Sequence, residues 1–335
     1  MPAFLKATSF YLPEKVLDND QLNSEFPEWS AEKISQKTGI YKRRIAAEDE
    51  YSSDLAIKAA TALFEENAID PKSIDFVLFC TQSPDYFLPT TACILQQKLG
   101  IPTSAGALDY NLGCSGFVYG LALAKGLVAA GIAKSILLIT AETYSKFINN
   151  QDKSNRTLFG DAASASLIVA DSGDGAEIGD FSLGTDGSGA ENLIVKNGGM
   201  RYRNVEAMDI YGDNGFERND SDLYMNGSEI FMFTSRAVPA LVNETLLKNH
   251  LNLDDIDLFV FHQANQFMLD HIRKKLQIPA DKFFIYLRDC GNTVSSTIPI
   301  ALYNAMAEKR INKGSTVLLA GFGVGYSWGG VILKY

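Results

Sequence analysis

The chain has 335 residues, of which 46% are hydrophobic and 21% charged, a composition typical of a globular enzyme with one large or two medium domains. Its net charge of −10 argues against general nucleic-acid binding, and an acidic partner would need a local basic patch. Because no apolar run reaches about 20 residues and MPAFLKATSFYLPEK does not resemble a secretory signal, we expect a cytoplasmic protein without a membrane span.

Cysteine and histidine are sparse in this sequence. The four cysteines, Cys80, Cys93, Cys114 and Cys290, are widely separated and form no CxxC pair, and there are only three histidines. This pattern predicts reduced thiols and no metal site.

Two stretches of the chain share an ordered series of patterns. SIDFVLFCTQS, from Ser73, resembles DIDLFVFHQAN, from Asp255, and each is followed by a Gly turn that opens a helix and then by apolar strands. The matched positions are Asp75 with Asp257, Gly113 with Gly291, Ser135 with Ser315, and Phe159 with Phe322, separated by 182, 178, 180 and 163 residues. The last, shorter separation indicates an insertion in the first half. The series predicts an α/β fold built from duplicated halves, 1–172 and 173–335; the alternative is two unrelated segments that share only buried strands.

This alignment places different polar residues at equivalent positions of the two halves. Cys80 matches His262 at a strand end, and Cys114 matches Asn292 at a helix start. A pseudo-twofold arrangement would bring these ends together at one central site.

Cys114 is the candidate nucleophile. In ALDYNLGCSGFVYGLALAKG the strand-like pattern becomes helical after Gly113, so Cys114 is predicted at a strand-to-helix turn. Free N–H groups at a helix start favour a thiolate, so we expect the thiol pKa to fall. A thiolate attacks thioesters and can carry the acyl group itself. Cys93 and Cys80 fit buried packing residues better, which is the ordinary role of a free cysteine.

His262 and Asn292 are the candidate partners of the nucleophile. Loss of CO2 from a malonyl thioester creates an enolate, and two neutral donors, a His Nε2–H and an Asn amide, can stabilise its oxygen. Papain-like proteases also combine Cys, His and Asn, so these residue types alone leave the reaction open.

The ordered motifs identify a family. NLGCSGFVYGLA, FHQAN, GNTVSSTIPIAL and FGVGYSWGG resemble signatures of β-ketoacyl-acyl-carrier-protein synthase III, as do KTGIYKRRIA and LFGDAASA. The resemblance extends from about Ala3 to Tyr335. It implies a thiolase-like αβαβα layered fold, a homodimer, no cofactor, and thioesters of coenzyme A or acyl carrier protein (ACP) as substrates.

The resemblance also implies roles for individual residues. Cys114 would be the acyl nucleophile, His262 and Asn292 would bind the malonyl thioester, and backbone N–H groups of Cys114 and Val324 would form the acyl oxyanion hole. Further positions implied along the acyl or pantetheine channel are Phe159, Met225, Phe231, Gly227, Ala264, Asn265 and, from the partner subunit, Leu88.

Several positions depart from the family pattern. Lys33 and Lys153 occupy positions where a tryptophan and an arginine often clasp the adenine of coenzyme A, and Lys37 lies nearby. Phe267 replaces an arginine used in carrier docking, although the cluster Arg273 to Lys275 follows it. Leu88 replaces a phenylalanine that often caps a short acyl pocket, so we expect a primer longer than acetyl.

Four reactions or roles are compatible with these motifs, and the weakest is a hydrolase, because it would need a base to activate water. The leading interpretation is decarboxylative condensation of an acyl primer with malonyl-ACP in fatty acid biosynthesis or a related pathway. A relative that passes the acyl group to oxygen or nitrogen, or that condenses in specialised metabolism, is the alternative; retention of His262 and Asn292 favours condensation. A non-catalytic subunit is disfavoured because such chains lose the cysteine.

Overall fold

The computed structural model describes residues 1–171, 173, 175–202, 208–210 (backbone only) and 216–335. The strands in these ranges are β1 (Phe4–Tyr11), β2 (Lys15–Asp18), β3 (Lys42–Ile45), β4 (Phe76–Cys80), β5 (Gly106–Tyr110), β6 (Ser135–Glu142), β7 (Ala162–Val169), β8 (Ala176–Thr185), β9 (Leu193–Ile194), β10 (Met208–Ile210), β11 (Glu217–Asn219), β12 (Tyr224–Met225), β13 (Leu258–Phe261), β14 (Phe283–Phe284), β15 (Thr316–Gly323) and β16 (Ser327–Lys334). The helices there are α1 (Asn19–Glu25), α2 (Ala31–Thr38), α3 (Ser52–Glu66), α4 (Thr91–Lys98), α5 (Gly116–Ala129), α6 (Lys153–Arg156), α7 (Gly227–Lys248), α8 (Gln266–Lys275) and α9 (Thr297–Ala307).

The main sheet has the strand order β14-β13-β15-β16-β8-β1-β7-β6-β4-β5. The order is symmetric about the β8–β1 contact: β13 runs parallel to β14 and β15, as β4 runs parallel to β5 and β6. Each half then turns antiparallel, through β15–β16 and β6–β7. The strand types and order therefore match between the two halves, as the repeated patterns predict.

Three apolar clusters separate the layers. Helices α3 and α4 pack on the outer face of the first half, and α7 and α8 pack on the outer face of the second. Helices α5 and α9 contact strands of both halves and bury Phe117, Leu121, Leu302 and their neighbours between them. A helix enclosed between the two halves of the sheet needs apolar residues over most of its surface, which explains the weak amphipathic pattern of GFVYGLALAKGLVA. The layers confirm the predicted αβαβα arrangement.

The strand register corrects the predicted alignment of the two halves. The N–H of Asp75 donates to the carbonyl of Ser135 (2.8 Å), whereas the N–H of Asp257 donates to Thr316 (2.9 Å). Ser135 therefore corresponds to Thr316, one residue beyond the predicted Ser315. The hydrogen-bond ladder fixes register to the residue, which a match of similar apolar runs does not.

The same register continues into the last hairpins. Glu142 pairs with Ala162, as Gly323 pairs with Ser327, so Phe159 corresponds to Val324 and not to the predicted Phe322. The predicted insertion is confirmed, because 143–161 joins β6 to β7 whereas 324–326 joins β15 to β16. The predicted division between 172 and 173 stays a prediction, and Ser172 lies outside the described residues.

Candidate active site

Cys114 lies in the turn between β5 and α5, two residues before the first residue of that helix. Its side chain is 6% exposed. Two glycines of β15 pack against this residue. A Cβ added to Gly323 would lie 2.9 Å from Cys114 Sγ, and a Cβ added to Gly321 would lie 2.9 Å from the Cys114 carbonyl oxygen. Strand β15 therefore approaches the nucleophile closely only because these two positions are glycine.

The expected fall in the thiol pKa is wrong. Burial raises the pKa of the Cys114 thiol to about 12, and the Glu142 carboxyl adds to the rise when it is charged. The end of α5 cannot offset this, because a helix terminus contributes about 0.3–1 kcal/mol whereas burial moves a pKa by up to several units. The sequence motif shows the helix start but not the depth of the thiol.

Two backbone N–H groups act on the sulfur. Those of Cys114 and Val324 lower the thiol pKa, in opposition to burial, which means that they point toward Sγ. These are the groups named for the acyl oxyanion hole. Donors that already face the sulfur are placed to meet the oxygen of an acyl group attached to it.

His262 follows β13 and is 2% exposed. Burial lowers its pKa to about 3, with the Val294 carbonyl acting in the opposite direction, so the ring is neutral at physiological pH. Nδ1 lies 2.8 Å from Thr297 Oγ1, and the ring packs edge-on against Phe322 at 5.6 Å between centroids. A neutral, fixed imidazole suits hydrogen bonding to a substrate better than carrying a charge.

Asn292 is 5% exposed and is held at both backbone groups. Its N–H donates to the Leu158 carbonyl (2.9 Å) and its carbonyl accepts from Gly160 (3.0 Å). The amide Oδ1 accepts from the N–H of Val294 (3.0 Å). Because Oδ1 is engaged, the side chain presents its NH2 group as the donor.

Local packing brings the three predicted catalytic residues together. Cys114, Val294 and Phe322 belong to one apolar cluster, and Phe322 contacts the His262 ring while Val294 holds the Asn292 amide. Each side chain lies in a connection that follows a strand: Cys114 after β5, His262 after β13 and Asn292 after β14. The structure thus juxtaposes the set that the duplicated pattern singled out.

Sequence reasoning missed a buried polar group behind the nucleophile. Glu142 is fully buried at the end of β6, and burial raises its carboxyl pKa to about 8. Gln82 Oε1 accepts from the Tyr144 hydroxyl (2.5 Å), and a Cβ on Gly113 would lie 2.5 Å from the same oxygen. The available signal was a single acidic residue ending the apolar strand SILLITAE.

The predicted channel residues divide between the core and the surface. Phe159 is 3% exposed, pairs with Asn292 as an isolated bridge, and packs against Tyr144 at 5.3 Å. The half-buried Met225 and Phe231 border the same apolar cluster as Cys114. Gly227 begins α7 and Ala264 is buried after β13. Asn265 caps α8, accepting from the N–H of Met268 (2.9 Å). Leu88 is 82% exposed.

The three predicted binding lysines surround one aromatic ring. The ammonium groups of Lys33, Lys37 and Lys153 lie 5.8, 5.2 and 5.8 Å from the centroid of Trp29. Lys153 also pairs with Glu28 at 2.7 Å. Sequence reasoning read Lys33 in place of the tryptophan and missed Trp29, which lies four residues earlier and before the first residue of α2. Because Trp29 is outside the helix, helical spacing gave no signal for it.

The other cysteines occupy different surroundings. Cys80 and Cys290 are buried, whereas Cys93 is exposed on α4, so its assignment as a buried packing residue is wrong. Among the described residues, His, Cys, Asp and Glu side chains form no group of three or more that could hold a metal ion. Within the same ranges, no helix has the length and apolar character needed to cross a bilayer.

Comparison with known proteins connects this geometry to a family. The model for the 3-oxoacyl-[acyl-carrier-protein (ACP)] synthase III C terminal matches residues 246–335, and the 3-oxoacyl-[acyl-carrier-protein (ACP)] synthase III model matches 108–187. A β-ketoacyl-[acyl-carrier-protein] synthase III of Clostridium perfringens is 37% identical, covering 97% of this chain and 96% of its own.

Solved structures agree. A crystal structure of a 3-oxoacyl-(acyl-carrier-protein) synthase III is 50% identical, covers 100% of both chains and has a TM-score of 0.97. A 3-oxoacyl-(acyl carrier protein) synthase from Burkholderia xenovorans LB400 is 36% identical, covers 100% of this chain and 94% of its own, and has a TM-score of 0.90. With Cys114, His262 and Asn292 in the connections that follow β5, β13 and β14, and with these matches over both halves, the chain belongs to the 3-oxoacyl-[acyl-carrier-protein] synthase III family of acyltransferases.

Proposed function

We propose that this enzyme condenses an acyl primer, carried on Cys114, with malonyl-ACP to give a 3-oxoacyl-ACP and CO2. The observation that carries the proposal is the pairing of a neutral, buried His262 with an Asn292 whose amide oxygen is already engaged. Two neutral donors beside a cysteine suit an enolate, and simple acyl transfer needs no such pair.

The first step is transfer of the primer to the enzyme. Sulfur of Cys114 attacks the thioester carbonyl, a new carbon–sulfur bond forms, and the carrier leaves as a thiol that takes the Cys114 proton. The backbone N–H groups of Cys114 and Val324 hold the tetrahedral oxyanion. Because no net charge leaves the site, the step tolerates a thiol with a raised pKa.

The second step makes the carbon–carbon bond. Malonyl-ACP loses CO2, and the electron pair of the broken bond forms an enolate whose oxygen accepts from His262 and Asn292. The enolate carbon attacks the acyl carbonyl, the carbon–sulfur bond to Cys114 breaks, and the departing sulfur takes up one proton from solvent. Loss of CO2 replaces proton abstraction, so a histidine with a pKa of about 3 is suited to this role.

The His262 role requires one tautomer. For Nε2 to carry the donor proton, the Thr297 hydroxyl must donate to Nδ1 across 2.8 Å. The same hydroxyl lies 3.0 Å from the Val294 carbonyl and has one proton to give. The proposed reaction thus assigns that proton to the histidine.

We assign the Trp29 surface to the nucleotide end of coenzyme A. An aromatic face ringed by Lys33, Lys37 and Lys153 offers stacking to adenine and positive charge to phosphates. Coenzyme A would then deliver the primer. Trp29→Ala should raise the KM for an acyl-CoA while leaving acylation by the corresponding acyl-ACP unchanged; an equal effect on both donors would contradict the assignment.

The primer is proposed to be longer than acetyl. A cavity of about 970 Å³ reaches Val324 beside the nucleophile and is lined by Tyr144, Phe147, Leu193 and Leu223 among others. Exposed Leu88 would approach the equivalent cavity of a partner subunit. Competition between acetyl and octanoyl donors for Cys114 tests this proposal. A preference for octanoyl is expected, and a preference for acetyl would show that the enzyme uses short primers.

The enzyme is proposed to be a cytoplasmic homodimer. Strand β5 is an edge strand of the main sheet. Its Leu108 side chain is 39% exposed, and Phe87, in the connection between β4 and α4, is 72% exposed. An exposed edge strand flanked by apolar side chains favours pairing with a second copy. Leu108→Lys should yield monomers by light scattering, whereas Leu247→Lys on α7 should not. The four free cysteines fit a reducing compartment.

Product analysis tests the proposed reaction. Wild-type enzyme given an acyl-CoA and malonyl-ACP should release CO2 and 3-oxoacyl-ACP in equal amounts. Acyl-enzyme formation without either product, under conditions in which malonyl-ACP is bound, would overturn the proposal.

A further inference from the structure

Glu142 is a buried carboxyl that neither proposed step uses. It ends β6 and has no exposed surface. Oε2 accepts from the backbone N–H of Gln82 (3.0 Å) and from the Ser83 hydroxyl (3.2 Å), and Oε1 accepts from the Ser295 hydroxyl (2.9 Å). One side chain therefore joins two segments that are more than 200 residues apart in the chain.

The first of these segments supports the nucleophile. Gln82 follows β4, and its side chain accepts from Tyr144 (2.5 Å) and donates to Asn111 (3.0 Å). Its Oε1 fills the space where a Cβ of Gly113 would lie, directly before Cys114. Any displacement of Gln82 therefore reaches the turn that carries the sulfur.

The second segment supports the malonyl-binding amide. Ser295 is 1% exposed and lies in the helical turn that follows Asn292. In that turn Val294 has a φ of 54°, a conformation that a β-branched residue rarely adopts, and its N–H holds the Asn292 amide oxygen. The Ser295–Glu142 hydrogen bond fixes the position of this turn from behind.

The symmetry of the fold gives the position meaning. By strand register Glu142 is the counterpart of Gly323, whose lack of a side chain lets Cys114 lie against it. In the second half, β15 therefore ends with a glycine that leaves space for the nucleophile. In the first half, β6 ends with a carboxyl that hydrogen-bonds to the turn after Asn292.

The surroundings of Glu142 contain several titratable groups. Cys114, Cys80, Tyr110 and Tyr144 each have a pKa raised chiefly by burial and further by a charged Glu142. Asp161 acts on Glu142 in the same direction. Burial raises the Glu142 pKa to about 8, so the group holds its proton at neutral pH and adds no charge beside the nucleophile.

We propose that Glu142 is a positioning residue that fixes the separation between acyl-Cys114 and the malonyl-binding Asn292, and that its protonated form is the active one. This rests on the proposed condensation. A neutral carboxyl keeps both hydrogen-bonded arms if Oε2 accepts from Gln82 and Ser83 while the protonated Oε1 donates to the Ser295 hydroxyl, which lies 2.9 Å away. It also leaves the sulfur free of a neighbouring charge, whereas a carboxylate opposes formation of the thiolate.

Two substitutions separate geometry from charge. Glu142→Ala cuts both arms, so condensation from pre-acylated enzyme should fall by about 10²-fold, the scale expected for a misplacement of about 1 Å. Its rate of Cys114 acylation should also fall, because the arm to Gln82 is lost, but by much less than the condensation rate, because acylation does not use Asn292. Glu142→Gln keeps an acceptor and a donor but cannot ionise, so it should restore condensation, and its acylation rate should exceed the wild-type rate increasingly above pH 8.

Ser295→Ala and Asp161→Asn complete the experiment. Ser295→Ala removes only the hydrogen bond between Ser295 and Glu142, and it should slow condensation more than acylation. It serves as the test if Glu142→Ala does not fold. Asp161 is another fully buried carboxyl, accepting from the N–H of Ala46 (2.8 Å) and Ser145 (3.0 Å). Its charge helps to raise the Glu142 pKa, so the control is measured near pH 6, where Glu142 holds its proton; there Asp161→Asn should lower Tm without changing the ratio of the two rates.

The outcomes are distinguishable. Equal losses in both steps for Glu142→Ala and Ser295→Ala, or no loss in either, would overturn the positioning role while wild-type product formation leaves the proposed function intact. Glu142→Gln with a wild-type pH profile would overturn the assignment of the protonated form. Wild-type enzyme that makes no 3-oxoacyl product would overturn the proposed function itself.

Discussion

Gly323→Ala perturbs the nucleophile without changing any polar group. The added Cβ would lie 2.8 Å from Cys114 Cβ and 2.9 Å from Sγ, whereas ordinary contacts begin at 3.4 Å. The cysteine must therefore retreat by about half an ångström or change rotamer. The turn has little room to move, because Gly321, two residues earlier on the same strand face, contacts the Cys114 carbonyl.

Gly323→Ala should affect the rate of Cys114 acylation more than the free energy of unfolding. A misplacement of about 1 Å can cost about 10²-fold in rate, so a shift of half that size should slow acylation by about tenfold. Overpacking should lower the free energy of unfolding by about 1–3 kcal/mol. Time-resolved intact-mass measurement of acyl-enzyme gives the rate, and thermal unfolding gives the stability.

Gly126→Ala is the matched control. Gly126 lies in α5, the helix that follows the nucleophile, and an added Cβ there meets no heavy atom within 4 Å. Alanine should stabilise the helix by up to about 1 kcal/mol and leave acylation unchanged. A folded Gly323→Ala enzyme that acylates at the wild-type rate would refute the close-packing argument.

Other substitutions test separate parts of the proposed mechanism. His262→Ala and Asn292→Ala should spare acylation and slow decarboxylation by about 10²- to 10³-fold, and loss of the acyl-enzyme in either folded variant would show that the roles are wrong. Thr297→Val should shift His262 away from the Nε2–H tautomer, as read by ¹⁵N NMR, and slow condensation selectively; an unchanged tautomer would contradict the assignment. Because burial raises the Glu142 pKa from 4.5 to about 8, the unfolded chain releases a proton in that interval that the folded protein keeps, so this carboxyl lowers the stability as pH rises. Asp161 and His262 titrate below about pH 6.5, so Glu142→Gln should reduce the fall in Tm most clearly between pH 6.5 and pH 8, and an unchanged fall in that window would mean that another group causes it.

Much of the site was accessible from the sequence because duplication leaves a long-range signal. Matching Cys114 with Asn292 placed two distant residues at equivalent strand-to-helix turns, and the contacts of Glu142 with Gln82 and Ser295 connect these turns in the structure. The repeat also predicted the insertion in the first half. Its limit was register: similar apolar runs align equally well with a shift of one or two residues, as at Ser135 and Phe159.

The sequence could not show how deeply the Cys114 thiol is buried, or which distant residues of the chain enclose it. The turn at Cys114 predicts helix-end N–H groups, but the two glycines of β15 that enclose the thiol are some 200 residues away. Enclosure decides the sign of the pKa shift, so the local motif predicted the wrong direction. Trp29 was missed for a related reason: the family position directed attention to Lys33 in α2, whereas the ring that Lys33 contacts belongs to the residue before the N-cap of that helix.

The most direct test of the central claim is peptide mapping after incubation with a panel of acyl-CoA donors. One acyl group per chain should be recovered as a thioester on the peptide that contains Cys114, and Cys114→Ser should abolish both the adduct and the 3-oxoacyl product. Recovery of the acyl group on Cys80, Cys93 or Cys290, or product formation by Cys114→Ser, would contradict the assignment of Cys114 as the nucleophile.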